Sequence, residues 1–132
     1  MKTLKHLLVL FTLLFVISFG TTAQTTYQNW TALPDSPSHL EVSWSTCQCS
    51  PLIGDEIRLF VFNESGNART ADFTLTISDA GQTDVTYTVA GLSLVAGQST
   101  LAGCGTTFPV ELATLVPSGF DPNTLTISIT YN

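Results

Sequence analysis

The chain has 132 residues and carries four Lys and Arg against ten Asp and Glu, a formal charge of -6. That length bounds it to one domain with one modest core. The acidic balance repels phosphate backbones and anionic lipids, which argues against nucleic-acid binding and against attraction to anionic membranes.

The first residues, "MKTLKHLLVLFTLLFVISFGTTAQ", set Lys2, Lys5 and His6 before an apolar run from Leu7 to Phe19, then small residues. This is the three-part pattern of a secretory signal peptide. The run is short of the roughly 20 residues that a membrane span needs. Thr21-Thr22-Ala23 fits the small-x-small cleavage rule, so residues 1–23 are expected to be removed, leaving Gln24 first; cleavage after Gly20 is the runner-up. No cysteine follows the run to carry a lipid. The expected location is extracytoplasmic, periplasmic or secreted, with no membrane insertion after cleavage. Both lysines leave with the signal. Arg58 and Arg69 then face all ten carboxylates, and the formal charge becomes -8.

Residues 24–37, "QTTYQNWTALPDSP", are polar with two prolines and read as an extended N-terminal arm or an edge segment. From residue 38 to 132 the pattern is β throughout. In "HLEVSWS", Leu40, Val42 and Trp44 share one face. "EIRLFVFN" is apolar on both faces, with Ile57, Leu59 and Val61 on one and Phe60 and Phe62 on the other, which suits a central strand. "NESGN" is a turn. "ADFTLTIS" alternates Phe73, Leu75 and Ile77 with Thr74 and Thr76. After the "SDAGQTD" turn, "VTYTVAGLSL" puts Val85, Tyr87 and Val89 on one side. "AGQS" turns the chain again. "TFPVEL" offers Phe108, Val110 and Leu112 as a strand that Pro109 confines to an edge or bulge. "FDPN" leads into "TLTISITY", with Leu125, Ile127, Ile129 and Tyr131 inward. About seven short strands separated by turns, with no helical period, predict an all-β antiparallel sandwich of immunoglobulin-like type, with an open barrel as the alternative.

The chemistry on offer is sparse. The exported chain keeps one histidine, His39, and no lysine. No G-x-S-x-G elbow surrounds a serine. Asp55 and Glu56 are adjacent on a strand and so point to opposite faces. Asp79 and Asp84 flank Gly81 in a six-residue stretch that suits a hairpin turn better than a calcium ion needing six or more oxygens. No catalytic residue, metal site or cofactor is therefore assigned, and an enzyme is not expected.

Cys47 and Cys49 form a C-x-C in "WSTCQCSP", and Cys104 lies in "AGCGTT". In a reducing compartment three thiols and His39 suit a soft metal; a secreted chain meets oxidising conditions, where disulfides come first. One of Cys47 and Cys49 is expected to pair with Cys104, a closure of roughly 4 kcal/mol in the chain-entropy model. The other is then an odd thiol, free or bridging two chains into a dimer. A bridge within the C-x-C is the strained alternative.

The order of these features resembles a known family. "TCQCS" ahead of "IRLFVF", the "ESGN" turn, "LSLVAGQSTL" before a loop, and "TLTISITYN" after "GFDPN" are similar to the small periplasmic immunoglobulin-like chaperones of the curli amyloid secretion system. The resemblance covers Cys47 to Tyr131. It implies a chaperone that restrains polymerisation of an exported amyloid subunit. The chain departs from the family in the longer "GCGTTFPVELATLVPSG" connection, in Cys104 and in the N-terminal arm. "GDEIRLFVFNESGNARTADFTLTISDAG" with "LVAGQS" also resembles the adhesion-related immunoglobulin-like repeats of bacterial surface proteins, which implies an adhesive or structural module. Under the first resemblance the partner is a protein, and Arg58, Phe60 and Phe62 are the face to look at first. The alternative places Phe60 and Phe62 in the core.

Overall fold

The computed structural model describes residues 25–50, 53–105 and 109–132, with the side chains of Cys49, Ser50 and Val110 left aside. The expected leader and its expected cleavage point, with Gln24 and Phe108, lie outside the described residues.

Among the described residues, eight strands form two antiparallel sheets. The first holds β1 (Thr25–Ala32), β2 (Leu40–Ser50), β3 (Gly54–Asn63) and β6 (Ser99–Leu101) in that order, with β7 (Ala113–Leu115) also paired to β3. The second holds β5 (Val85–Leu94), β4 (Arg69–Ser78) and β8 (Thr126–Tyr131), with β4 central. β3 crosses to the second sheet as β4, and β6 returns beside β3. β8 likewise comes to lie beside β4. These are the Greek-key connections of an immunoglobulin-like sandwich.

The period of two explains the core. Leu40, Val42 and Trp44 on β2 sit opposite Asn63, Val61 and Leu59 on β3. Phe73, Leu75 and Ile77 on β4 sit opposite Tyr131, Ile129 and Ile127 on β8. Residues directly opposite share a face, and these inner faces meet as one cluster of buried apolar side chains, including Ile57, Val89, Leu94, Leu112 and Leu125. β3 is central, and its second apolar face, Phe60 and Phe62, is half-buried on the outside of the sheet rather than in the core.

β5 departs from simple alternation. Phe73 pairs with Val89 while Ala71 pairs with Leu92, so β5 carries an extra residue there. Gly91 takes φ 72°, and its N–H donates to the Asp72 carboxylate at 2.7 Å. This bulge shifts the parity, which is how Val89 and Leu94 both reach the core.

One expected strand is corrected. Within "TFPVEL", the described part is not a strand: Pro109 leads a 3-10 turn over Val110–Leu112, and β7 begins only at Ala113. Pro109 has no N–H for a ladder, and the turn still drives Leu112 fully into the core.

Side-chain hydrogen bonds bridge the two sheets at both sides of the sandwich. On one side, the Gln28 amide donates to the carbonyls of Pro122 and Leu125, the Thr46 hydroxyl to Pro122, and the Tyr131 hydroxyl to Pro34. On the other, the Tyr87 hydroxyl donates to the carbonyls of Glu111 and Ala113. Asn63, fully buried at the end of β3, ties three segments: its amide donates to Asn67, Leu94 and Val95, and its carbonyl accepts from the N–H and hydroxyl of Ser65.

Candidate functional site

The outer face of the five-stranded sheet is read from β3 outward. Its outward residues are Glu56, Arg58, Phe60 and Phe62, opposite Cys47, Ser45, Ser43 and Glu41 of β2. On the other flank Phe60 faces Leu101 and Phe62 faces Ser99 of β6, and Glu56 faces Leu115 of β7. From β1, Trp30 lies over this surface. Its ring meets Phe60 edge-on with centroids 6.4 Å apart, and the Arg58 guanidinium carbon stands 4.9 Å from the Trp30 centroid.

Arg58, Phe60 and Phe62, singled out from sequence, therefore share one outer face, and Phe60 and Arg58 both touch the same indole. Three further members had not been singled out: Trp30, 41% exposed, Leu101, 48%, and Leu115, 55%. Apolar groups of this size are exposed together at one sheet face, where a lone exposed Leu would need no explanation. The signal for Trp30 was a tryptophan inside an otherwise polar arm. Leu101 and Leu115 carried no signal, because their strands have three residues each.

Cation and ring support each other. A guanidinium over an indole face is attracted by the ring quadrupole by about 0.5–1 kcal/mol at exposed sites. Arg58 also leans on the Ser45 hydroxyl, which donates to the Gln28 carbonyl at 2.8 Å. Arg58 is thus held flat against the sheet.

At one end of the face stands the disulfide. Cys47 pairs with Cys104, across 57 residues, with Cα atoms 6.4 Å apart. This settles which cysteine of the C-x-C pairs with Cys104. The side chain of Cys49 lies outside the described residues. The bridge is buried, Cys47 at 1% and Cys104 at 7% exposure, and a buried disulfide fits an oxidising environment. Glu56 lies beside it and accepts the Gly105 N–H at 2.9 Å. Cys47, Cys104 and Glu56 have their ligand atoms within 4.8 Å of one another. With the bridge closed, the sulfurs offer a metal no thiolate, the form that binds.

The other residues weighed from sequence fall elsewhere. His39 is exposed in a turn at φ 61°. Asp79 is a tether: its carboxylate accepts from Ala80 N–H, Asp121 N–H and the Thr124 hydroxyl, which ties the hairpin turn to the loop before β8. Comparison of the chain with family models, curated proteins and solved structures finds no match.

Proposed function

We propose that this chain is a non-enzymatic, extracytoplasmic protein-binding domain. The observation that carries the reading is the outer face holding Trp30, Arg58, Phe60, Phe62 and Leu101. Trp and Arg are the side chains over-represented where a few residues dominate binding energy. Here they are preassembled on strands, so little rotamer freedom remains to be lost on contact. The resemblance to curli-system chaperones supplies the kind of partner: an exported amyloid-forming subunit, met in the periplasm or outside the cell. A growing amyloid presents apolar strand surfaces and unpaired edges. A domain that covers them, and whose acidic surface discourages its own stacking, delays fibre growth.

The test is dye-monitored polymerisation of a curli-type subunit with and without the purified protein. The expected result is a longer lag at well below equimolar ratio, lost in a Trp30→Ala, Phe60→Ala double variant that still folds. An unchanged lag at equimolar protein, together with binding to a carbohydrate or cell surface, replaces this reading with the adhesive-module one.

A further inference from the structure

β8 ends the three-stranded sheet, and the direction of its backbone groups follows from one hydrogen bond. The Asn132 N–H donates to the Asp72 carbonyl of β4 at 3.1 Å. Backbone groups alternate sides along a strand, so Thr126, Ser128 and Thr130 also address β4. The odd residues address the outside. Leu125 does so, and its carbonyl is taken by the Gln28 amide at 3.0 Å. Beyond it, the N–H and C=O groups of Ile127, Ile129 and Tyr131 face outward with no partner among the described residues.

This edge lacks the devices that protect sheet edges. Natural edges are blunted by charge, proline, bulges or brevity. β1 is broken by two register shifts, β6 and β7 have three residues each, and β5 bulges at Gly91. β8, "TISITY", has no charge, no proline and no shift over its six pairs with β4. Ile127, Ile129 and Tyr131 are only half-buried against the core, so their outer flank offers apolar surface as well as hydrogen bonds. The open stretch is framed by the Gln28–Leu125 bond at one end and the Tyr131–Pro34 bond, 2.7 Å, at the other.

Charge selects the occupant. Asp35, exposed, directly follows Pro34, whose carbonyl accepts the Tyr131 hydroxyl at 2.7 Å, which places a carboxylate at this end. At the other end, Asp79 and Asp121 hold the loop that enters β8. The arginines are engaged elsewhere, Arg58 over Trp30 and Arg69 with Ser65. A second copy of this acidic chain would bring like charges to both ends. We propose that the free edge of β8 is a strand-acceptor site for an extended segment of a different protein, with alternating apolar and small polar residues between basic flanks. Main-chain bonds to Ile127, Ile129 and Tyr131 supply affinity, and alternate side chains supply selection. This deepens the protein-binding reading and rests on it for the kind of client.

The probe is a synthetic peptide of three Val-Thr repeats between lysine pairs, with a glutamate-flanked twin as control. Amide exchange is followed by NMR on the whole protein. The expected result is slowed exchange at Ile127, Ile129 and Tyr131 with the lysine peptide, and at least about tenfold weaker binding of the glutamate peptide. Ile129→Pro removes an outward N–H without a ladder bond and should weaken binding about tenfold or more, the order of one lost hydrogen bond. Ile129→Ala loses comparable packing, keeps the N–H, and should retain binding. No added protection at saturating peptide overturns the proposal, and so does protection that appears with protein concentration alone, which assigns the edge to a second copy. These wild-type readouts decide the matter even if Ile129→Pro fails to fold. Peptide binding abolished by Trp30→Ala and Phe60→Ala but indifferent to Ile129→Pro overturns the edge site and leaves the outer-face reading standing.

Discussion

The two sheets bury equivalent inner faces and show opposite outer ones. Outside the five-stranded sheet lie Trp30, Arg58, Phe60, Phe62, Leu101 and the neighbouring disulfide. Outside the three-stranded sheet lie hydroxyls in register: Thr88, Thr74 and Thr130 in one row, Thr86, Thr76 and Ser128 in the next. The Thr74 and Thr88 hydroxyls stand 3.2 Å apart. Such pairs suit a solvated sheet, each adding about 0.2–1 kcal/mol. The inner faces are demanded by folding, since either sheet must cover its apolar side. The outer faces are not, and they differ in kind, an aromatic cluster on one and a threonine array on the other; the function proposed above takes the first as the contact face.

The sharpest way to break this comparison is one substitution made on both faces. Phe73→Ala, in the core, should cost about 3–5 kcal/mol of stability. Phe60→Ala, on the outer face, should cost about 1 kcal/mol or less. Urea denaturation measures both; equal losses would erase the distinction between inner and contact surface. The disulfide anchors the outer face, and Cys104→Ala should cost about 4 kcal/mol in the chain-entropy model. Cys49→Ala should leave stability unchanged. Non-reducing peptide mapping that links Cys104 to Cys49 contradicts the pairing.

Asn63 joins the sheets' connecting loops rather than either face. Asn63→Ala removes the buried amide that bonds the Asn67, Leu94 and Val95 carbonyls and should cost about 2 kcal/mol. A loss within error would show that the turn holds without its hub. Titration provides a further probe, at the seam where β8 meets the β1–β2 segment. Burial, and then the charge of Asp35, push the Tyr131 phenol up to about 12 from the ordinary 10.0. The folded state holds this proton more tightly than the unfolded one. Its contribution is therefore complete below pH 10 and lost as pH rises through about 12. Tyr131→Phe should flatten that part of the stability profile. The smallest effect lies at the rim of the contact face, where a hydrogen bond with Glu64, then burial, then the charges of Glu64 and Asp35 raise the Glu41 carboxyl. Stability from this group is present in acid and lost as pH rises through its raised folded value. Glu64→Gln should then raise the melting temperature slightly at pH 7 and scarcely at all near pH 4. An equal gain at both pH values would point to packing instead of charge.

The fold was largely legible where one face of a strand is polar. Thr74 and Thr76 label the outside of β4, so Phe73, Leu75 and Ile77 had to be inside. β3 gave no such label, because Ile57, Leu59 and Val61 alternate with Phe60 and Phe62. Which set was buried depended on what packed over each side. Trp30 was hidden for a related reason: an arm of eight exposed or half-exposed residues has no inner stripe to reveal its pairing. "TFPVEL" misled because apolar alternation over three positions fits a strand as well as a turn whose one apolar residue, Leu112, drops into the core.

Composition and alternation alone pointed to an acidic β-sandwich, because those properties depend on residue type and local period. Only the tertiary structure decided that Cys47 is the partner of Cys104. Cys47 and Cys49, two apart on one strand, are equivalent to any local rule. Cys47 is distinguished by standing opposite Glu56 on β3. There Glu56 takes the Gly105 N–H, and the Ala102 N–H bonds the Leu59 carbonyl, which together lay the Cys104 segment against it. The same holds for the contact face and the open edge of β8. Both are made by strands far apart in sequence, and which groups remain uncovered is known only once every other strand has found its neighbour.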